Sequence, residues 1–194
     1  MEKQGKETGK GGWEMRKELP GSTLTYDDGY PRGAETLLDA VFAGGDLMLS
    51  QVSHISGLEP YAIQNWVARG FLPPPKNKRY TRRQLCRILL IRLLRGVLQL
   101  ESIARLLSYV NGHLDDESDD TVDDGRLYLW LLDCLNAAPG EEEATLQKCL
   151  AEYEEPFPGA RKRLEQVLRI LVTASAAAEK QKLALELIED LDRK

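Results

Sequence analysis

From residue 34 onward, apolar residues recur at spacings of three and four along most of the chain, which predicts a mainly α-helical fold. Leu37, Leu38, Val41 and Phe42 share one face of a short helix over Ala34–Phe42, closed by the Gly44, Gly45 pair. Ser50 is placed to cap a second helix whose Val52 and Ile55 point inward, and Gly57 stops it where left-handed backbone is wanted. Pro60 suits the first turn of the next helix, in which Ile63, Trp66 and Val67 turn inward and Tyr61, Gln64, Asn65 and Arg69 outward. Two helices joined by a tight glycine turn form a helix-turn-helix. The run Pro73, Pro74, Pro75 followed by Lys76, Asn77, Lys78, Arg79 and Tyr80 cannot be helical, so a proline-stiffened hairpin with a basic tip is predicted. Thr81 then caps a helix through Leu85, Ile88, Leu89, Leu93 and Leu94, and another follows Gly96 with Leu100, Ile103, Leu106 and Leu107 inward.

Downstream, the pattern changes. Leu127 to Leu135 is apolar nearly all round, so this helix must be buried on more than one side. A further helix is expected around Glu142 to Tyr153, and after Pro156, Pro158 and Gly159 a long one from Arg161 to Leu191. In heptad terms its inward positions are Leu164, Val167, Leu171, Ala174, Ala178, Gln181, Leu185 and Ile188, of which only Gln181 is polar. These predict a homodimer seam. Leu168, Ile170, Val172, Leu183 and Leu187 widen the stripe beyond what a two-stranded coil needs, so the same helix is expected to pack on its own domain as well. The resulting division is a disordered tail over 1–33, a short helix and linker over 34–46, a winged helix-turn-helix over 47–107, an acidic loop over 108–125 and a helical C-terminal domain over 126–194.

Charge sharpens that division. The chain of 194 residues carries a net charge of −5, but Pro60 to Leu106 holds ten basic residues against the single acid Glu101, a local +9. The stretch before it is −4 and the stretch after it −10. A positive field of that density suits a polyphosphate partner, with acidic flanks keeping the rest of the molecule off it. Arg87, Arg92, Arg95 and Arg105 alternate with core leucines and count as general electrostatic background.

The order "LSQVSHISGL", "IQNWVARGFL", "KRYTRRQLCRILLIRLLRG" and "LQLESIARLL" resembles the DNA-binding domain of the MerR regulators, with Gly57, Trp66, the run Arg69 to Leu72, Arg79 and Tyr80 in register. A closer resemblance continues through "LLSYVNG" and "DGRLYLW" to an uncharacterised bacterial family known only as a domain of unknown function and regarded as MerR-like. The resemblance implies a bacterial transcriptional regulator that binds double-stranded DNA. Two departures limit what carries over. Gln64 stands where many MerR proteins have Arg, and the segment Asp115 to Asp124 with a helical block intervenes before any long dimerisation helix.

On that reading the second helix, 60–69, enters the major groove and the wing, 73–80, lies on the phosphate backbone. Lys76, Lys78, Arg79, Arg82 and Arg83 neutralise phosphates, while Gln64 and Asn65 carry amides able to pair bidentately with adenine. Tyr61 supplies phosphate or methyl contact, Arg69 a backbone contact, and Tyr80 either braces the wing or bonds a phosphate. The alternative is a non-enzymatic interaction adaptor that applies the same basic face to an acidic protein partner.

Other chemistry finds little support in the pattern. There is no Gly-rich phosphate loop, HExxH or GxSxG, and His54 and His113 lack a partner motif, so an enzyme is not expected and no cofactor is implied. The acidic segment fails as a calcium loop: with Gly125 at position six, Val122 falls at position three and Leu131 at position twelve, where a bidentate Glu is required. A solvated loop is preferred, with Asp123 or Asp124 at the next helix's N-terminus and a further role in competing with DNA for the wing. Cys86, Cys134 and Cys149 are widely spaced and read as structural thiols. Core packing of Tyr128, Trp130, Cys134 and Tyr153 is preferred over a small-molecule effector pocket. No run reaches the length of a membrane span and the first ten residues are polar, so a soluble cytoplasmic protein is expected.

Overall fold

The computed structural model describes residues 16–27, 32–112, 114 and 120–191. Eight helices and two small antiparallel sheets make up these residues. Strands β1 (Arg16–Glu18) and β2 (Thr25–Asp27) pair with Lys17 opposite Tyr26. Helix α1 (Gly33–Phe42) follows, then β3 (Leu47–Met48), α2 (Leu49–Ser56), α3 (Pro60–Ala68) and β4 (Arg79–Tyr80), which pairs with β3. The remainder is α4 (Arg82–Leu94), α5 (Leu100–Asn111), α6 (Asp124–Leu135), α7 (Glu142–Ala151) and α8 (Ala160–Leu191).

The β1–β2 hairpin lies within the segment expected to be a disordered tail; residues 1–15 and 28–31 of that tail fall outside the described part. The hairpin is held by burial rather than by strand length. Leu19 is fully buried and Tyr26 nearly so, and the Tyr128 hydroxyl donates to the Pro20 carbonyl at 2.5 Å. At Gly21, φ is +74°, and a Cβ added there would stand 2.3 Å from the carbonyl oxygen of Leu89 in α4. Only glycine permits both that backbone and that approach. Gly21→Ala is therefore expected to lower the unfolding free energy by about 2 kcal/mol or more, read as a shift of the urea midpoint.

Helix α4 is the centre of the molecule. Thr81 caps it reciprocally with Gln84: Gln84 N donates to Thr81 Oγ1 at 3.3 Å, and Thr81 N donates to Gln84 Oε1 at 2.9 Å. Every residue from Gln84 to Ile91 is buried, because α2, α5, α6 and α8 all pack against this helix. One apolar cluster consequently runs from Leu19 through Ile63, Leu89 and Leu131 to Ala174, joining the segments expected as separate domains. Arg87, counted with the general electrostatic background, lies in this core at 2% exposure.

At two further helix starts, the cap of α2 differs from expectation and that of α6 is one of the two residues expected. Helix α2 starts at Leu49 with Met48 as its N-cap, whose amide donates to Gln51 Oε1 at 2.8 Å, so Ser50 lies inside the first turn. At α6, Asp123 is the cap, accepting from Gly125 N at 2.7 Å and Arg126 N at 3.2 Å, whereas Asp124 turns into the core. No helix among the described residues is long and apolar enough to cross a membrane.

Candidate nucleic-acid interface

Gly57, at φ +62°, ends α2 and turns the chain toward α3. Ser53 Oγ donates across this turn to the Leu58 carbonyl at 2.6 Å, and Thr23 N from the β1–β2 side donates to the Ile55 carbonyl at 2.8 Å. The angle between the two helices is thus fixed from both sides. Within α3, Ile63 and Trp66 are buried, which leaves Tyr61, Gln64 and Asn65 outward; Tyr61 is 73% exposed. Spacings of three and four place these three side chains on one surface.

After α3 the Phe71 amide returns to the Trp66 carbonyl at 2.9 Å and Leu72 is buried, so the proline run leaves the helix in a set direction. Prolines cannot donate hydrogen bonds, but their carbonyls accept, and Gln84 Nε2 donates to Pro73 O at 2.9 Å and Pro74 O at 3.1 Å. The one Gln84 amide therefore caps α4 and anchors the hairpin. Its position three residues beyond a Thr cap was the available sequence signal.

The hairpin reverses over Lys76 to Arg79, with the Arg79 amide donating to the Lys76 carbonyl at 2.8 Å. Asn77 and Lys78 have φ of +50° and +60°, the paired left-handed residues of the tight turn whose twist matches antiparallel strands. Since β3 runs directly into α2, the pairing of Leu47 with Tyr80 and Met48 with Arg79 holds the hairpin against the start of that helix.

The ten residues expected at an interface separate into three groups. Tyr61, Gln64, Asn65, Lys76, Lys78 and Arg79 are exposed, and among the described residues no carboxylate pairs with Lys76, Lys78 or Arg79. Arg79 Nη1 donates only to the Asp46 carbonyl, at 3.1 Å. Arg69 is also exposed but is held by Glu101 Oε1 at 2.6 Å and lies over the Phe71 ring at 4.6 Å.

The third group is engaged inside the molecule. Tyr80 is 3% exposed, and burial raises its phenol above the ordinary value, so it braces the hairpin instead of presenting a hydroxyl. Arg82 Nη1 is bound by Asp39 Oδ1 of α1. Arg83 meets Asp120 Oδ2 at 2.5 Å, Asp124 Oδ2 at 3.4 Å and Asp123 Oδ2 at 3.9 Å. The described part of the acidic segment, residues 120–124, therefore neutralises α4; Asp115 to Asp119 and His113 lie outside the described residues. Asp124 also pairs with Arg87 Nη1 at 3.3 Å.

The C-terminal side divides in the same way. Leu164, Val167, Leu171 and Ala174 of the expected dimer seam are buried in the chain's own core, against α5, α6 and α7. Ala178 is half-buried, and beyond it Leu185 and Ile188 are each 56% exposed, alongside Leu183, Leu187 and Leu191. Of the residues weighed for core packing against an effector pocket, Trp130 and Tyr153 pack edge to face at 5.9 Å, and Tyr128 is buried on Pro20. Among the described residues no cluster of three or more His, Cys, Asp or Glu side chains gathers for a metal ion.

No solved structure matches the chain. The uncharacterized protein YkrK of Bacillus subtilis (strain 168) is 29% identical over 115 residues, which take in 55% of this chain and 49% of the relative, so the chain spans about half the length of the protein it matches. Residues 33–128, from α1 through the first turns of α6 and so including the whole exposed surface described above, match the family model "Domain of unknown function (DUF1836)".

Proposed function

We propose that the chain is a non-enzymatic, sequence-specific transcriptional regulator that binds double-stranded DNA through a MerR-like winged helix-turn-helix. In this reading α3 enters the major groove with Gln64 and Asn65 at base edges, and the 73–80 hairpin is a wing on the phosphates. The observation that carries it is the exposed cation cluster at the hairpin: among the described residues Lys76, Lys78 and Arg79 have no carboxylate partner, a state shared in the basic segment by Arg92, Arg95 and Arg105, whereas Arg69, Arg82, Arg83 and Arg87 are matched by carboxylates of the same chain. An ordinary solvated surface would distribute its acids more evenly. The exposed apolar end of α8, with Leu185 and Ile188, is read as the seam of a homodimer that pairs two such surfaces.

Salt tests both parts together. Each phosphate neutralised contributes about −0.9 to the slope of log K against log salt, so three cations per protomer give about −3 for a monomer and about −5 for a dimer. Anisotropy titrations on random duplex DNA are expected to give the steeper value, falling to the shallower one when residues 178–194 are removed. Light scattering then distinguishes the 21.8 kDa monomer from its dimer. No binding at about 50 mM salt would instead favour an acidic protein partner for the same face.

A further inference from the structure

Cys134 and Cys149 are fifteen residues apart and show no motif, yet the packing of α6 on α7 brings their side chains together. Cys134 is fully buried at the end of α6, and its thiol and that of Cys149 are near enough for each to be the leading influence on the other's protonation. Cys149 is half-buried and lines a cavity opening between α1, α6 and α7, together with Glu35, Asp133, Thr145 and Lys148. Its Sγ is also 3.9 Å from Asp133 Oδ2. One sulfur is thus partly accessible, the other is buried, and a carboxylate stands alongside the first.

We propose that Cys134 and Cys149 form a peroxide-responsive dithiol, in which Cys149 is the sulfur attacked first and Cys134 resolves it. The Cys149 sulfur, having released its proton toward Asp133, attacks one oxygen of hydrogen peroxide. An S–O bond forms, the O–O bond breaks, and the departing hydroxide takes up that proton as water. The Cys134 sulfur then attacks the sulfenic sulfur of Cys149. The S–S bond forms, the S–O bond breaks, and hydroxide leaves with the Cys134 proton as a second water. Two thiols and one peroxide give one disulfide and two waters.

The order of events follows from the environments. The interaction with Cys134 holds the Cys149 thiol below its ordinary value against the opposing effects of burial and of Asp133, and that interaction together with burial holds Cys134 well above. Asp133 is raised by burial and by Glu35, which suits it to receive a proton. Cys86 provides an internal reference: it is fully buried, and desolvation pushes its thiol up to about 12. Compared with an ordinary thiol at 9.0 that is a thousandfold less thiolate, of which higher nucleophilicity recovers roughly half on a log scale, so Cys149 should react on the order of 30-fold faster.

The experiment uses the full, reduced chain exposed to stoichiometric hydrogen peroxide, quenched with an alkylating agent and digested without reduction for mass spectrometry. The expected product is a single cross-linked peptide pair joining Cys134 to Cys149, two hydrogens lighter, with Cys86 recovered alkylated. In Cys134→Ser, Cys149 should be trapped as sulfenic acid by dimedone, and in Cys149→Ser no intramolecular disulfide should form. Absence of the cross-link in the unmodified chain, a cross-link that uses Cys86 or a second molecule, or oxidation of Cys149 no faster than Cys86 would each overturn the proposal.

Discussion

Replacing Asp124 with alanine is expected to cost about 3–5 kcal/mol of unfolding free energy, the range for removing one member of a buried ion pair. Asp124 is 1% exposed and Arg87 2%. The carboxylate receives Arg87 Nη1 at 3.3 Å on both oxygens, Asn111 Nδ2 at 2.9 Å and Arg83 Nε at 3.4 Å. Without it, the partner left to Arg87 among the described residues is the Phe71 carbonyl at 3.1 Å, for a charge buried to 2% exposure. Since a domain of this size holds only about 5–15 kcal/mol in all, the variant should sit near its unfolding threshold. The urea midpoint should fall with an unchanged m value. Pairing Asp124→Leu with Arg87→Met removes both charges and should recover a large part of the loss, which a merely steric role for Asp124 would not allow.

That network also links segments that composition sets apart. Asp124 begins α6, Arg87 and Arg83 are on α4, Asn111 ends α5, and Phe71 precedes the hairpin, so one carboxylate ties the candidate interface to the C-terminal helices. The partners are 13 to 41 residues apart in sequence. Helical periodicity made α1 through α8 legible because each helix's own spacing determines which side it buries, and Gly57, Pro60 and Thr81 marked boundaries by local chemistry alone.

What could not be read locally was pairing at a distance. Arg82 and Arg83 looked like Lys78 and Arg79 in the sequence because nothing in the spacing indicates that Asp39 and Asp120 will face the first two and not the others. The three-residue strands β1 and β2 show no period at all, and their docking depends on a glycine meeting the α4 backbone. Cys134 and Cys149 were hidden for the same reason, since only the seating of α7 on α6 brings them into contact.

The hairpin tip offers the most discriminating test of the proposed function, because stability and binding are expected to move in opposite directions. Lys78 is held at φ +60°, where a side chain other than glycine costs roughly 1–2 kcal/mol. Lys78→Gly removes that strain, partly offset by the greater freedom of glycine in the unfolded chain, and should stabilise the protein by about 0.5–1 kcal/mol. If the strain is retained to carry a cation to a phosphate, the same change should weaken duplex binding by about tenfold at about 0.1 M salt and reduce the salt slope by about 1 per site. Charge reversal, Lys78→Glu with Arg79→Glu, should go further, on the order of 100-fold or more, because repulsion is added to two lost contacts. Arg82→Glu is the matched control: Arg82 is already bound by Asp39, so its reversal should lower stability while changing affinity less. A Lys78→Gly variant that is more stable and binds DNA as tightly as the parent would remove the hairpin from the interface.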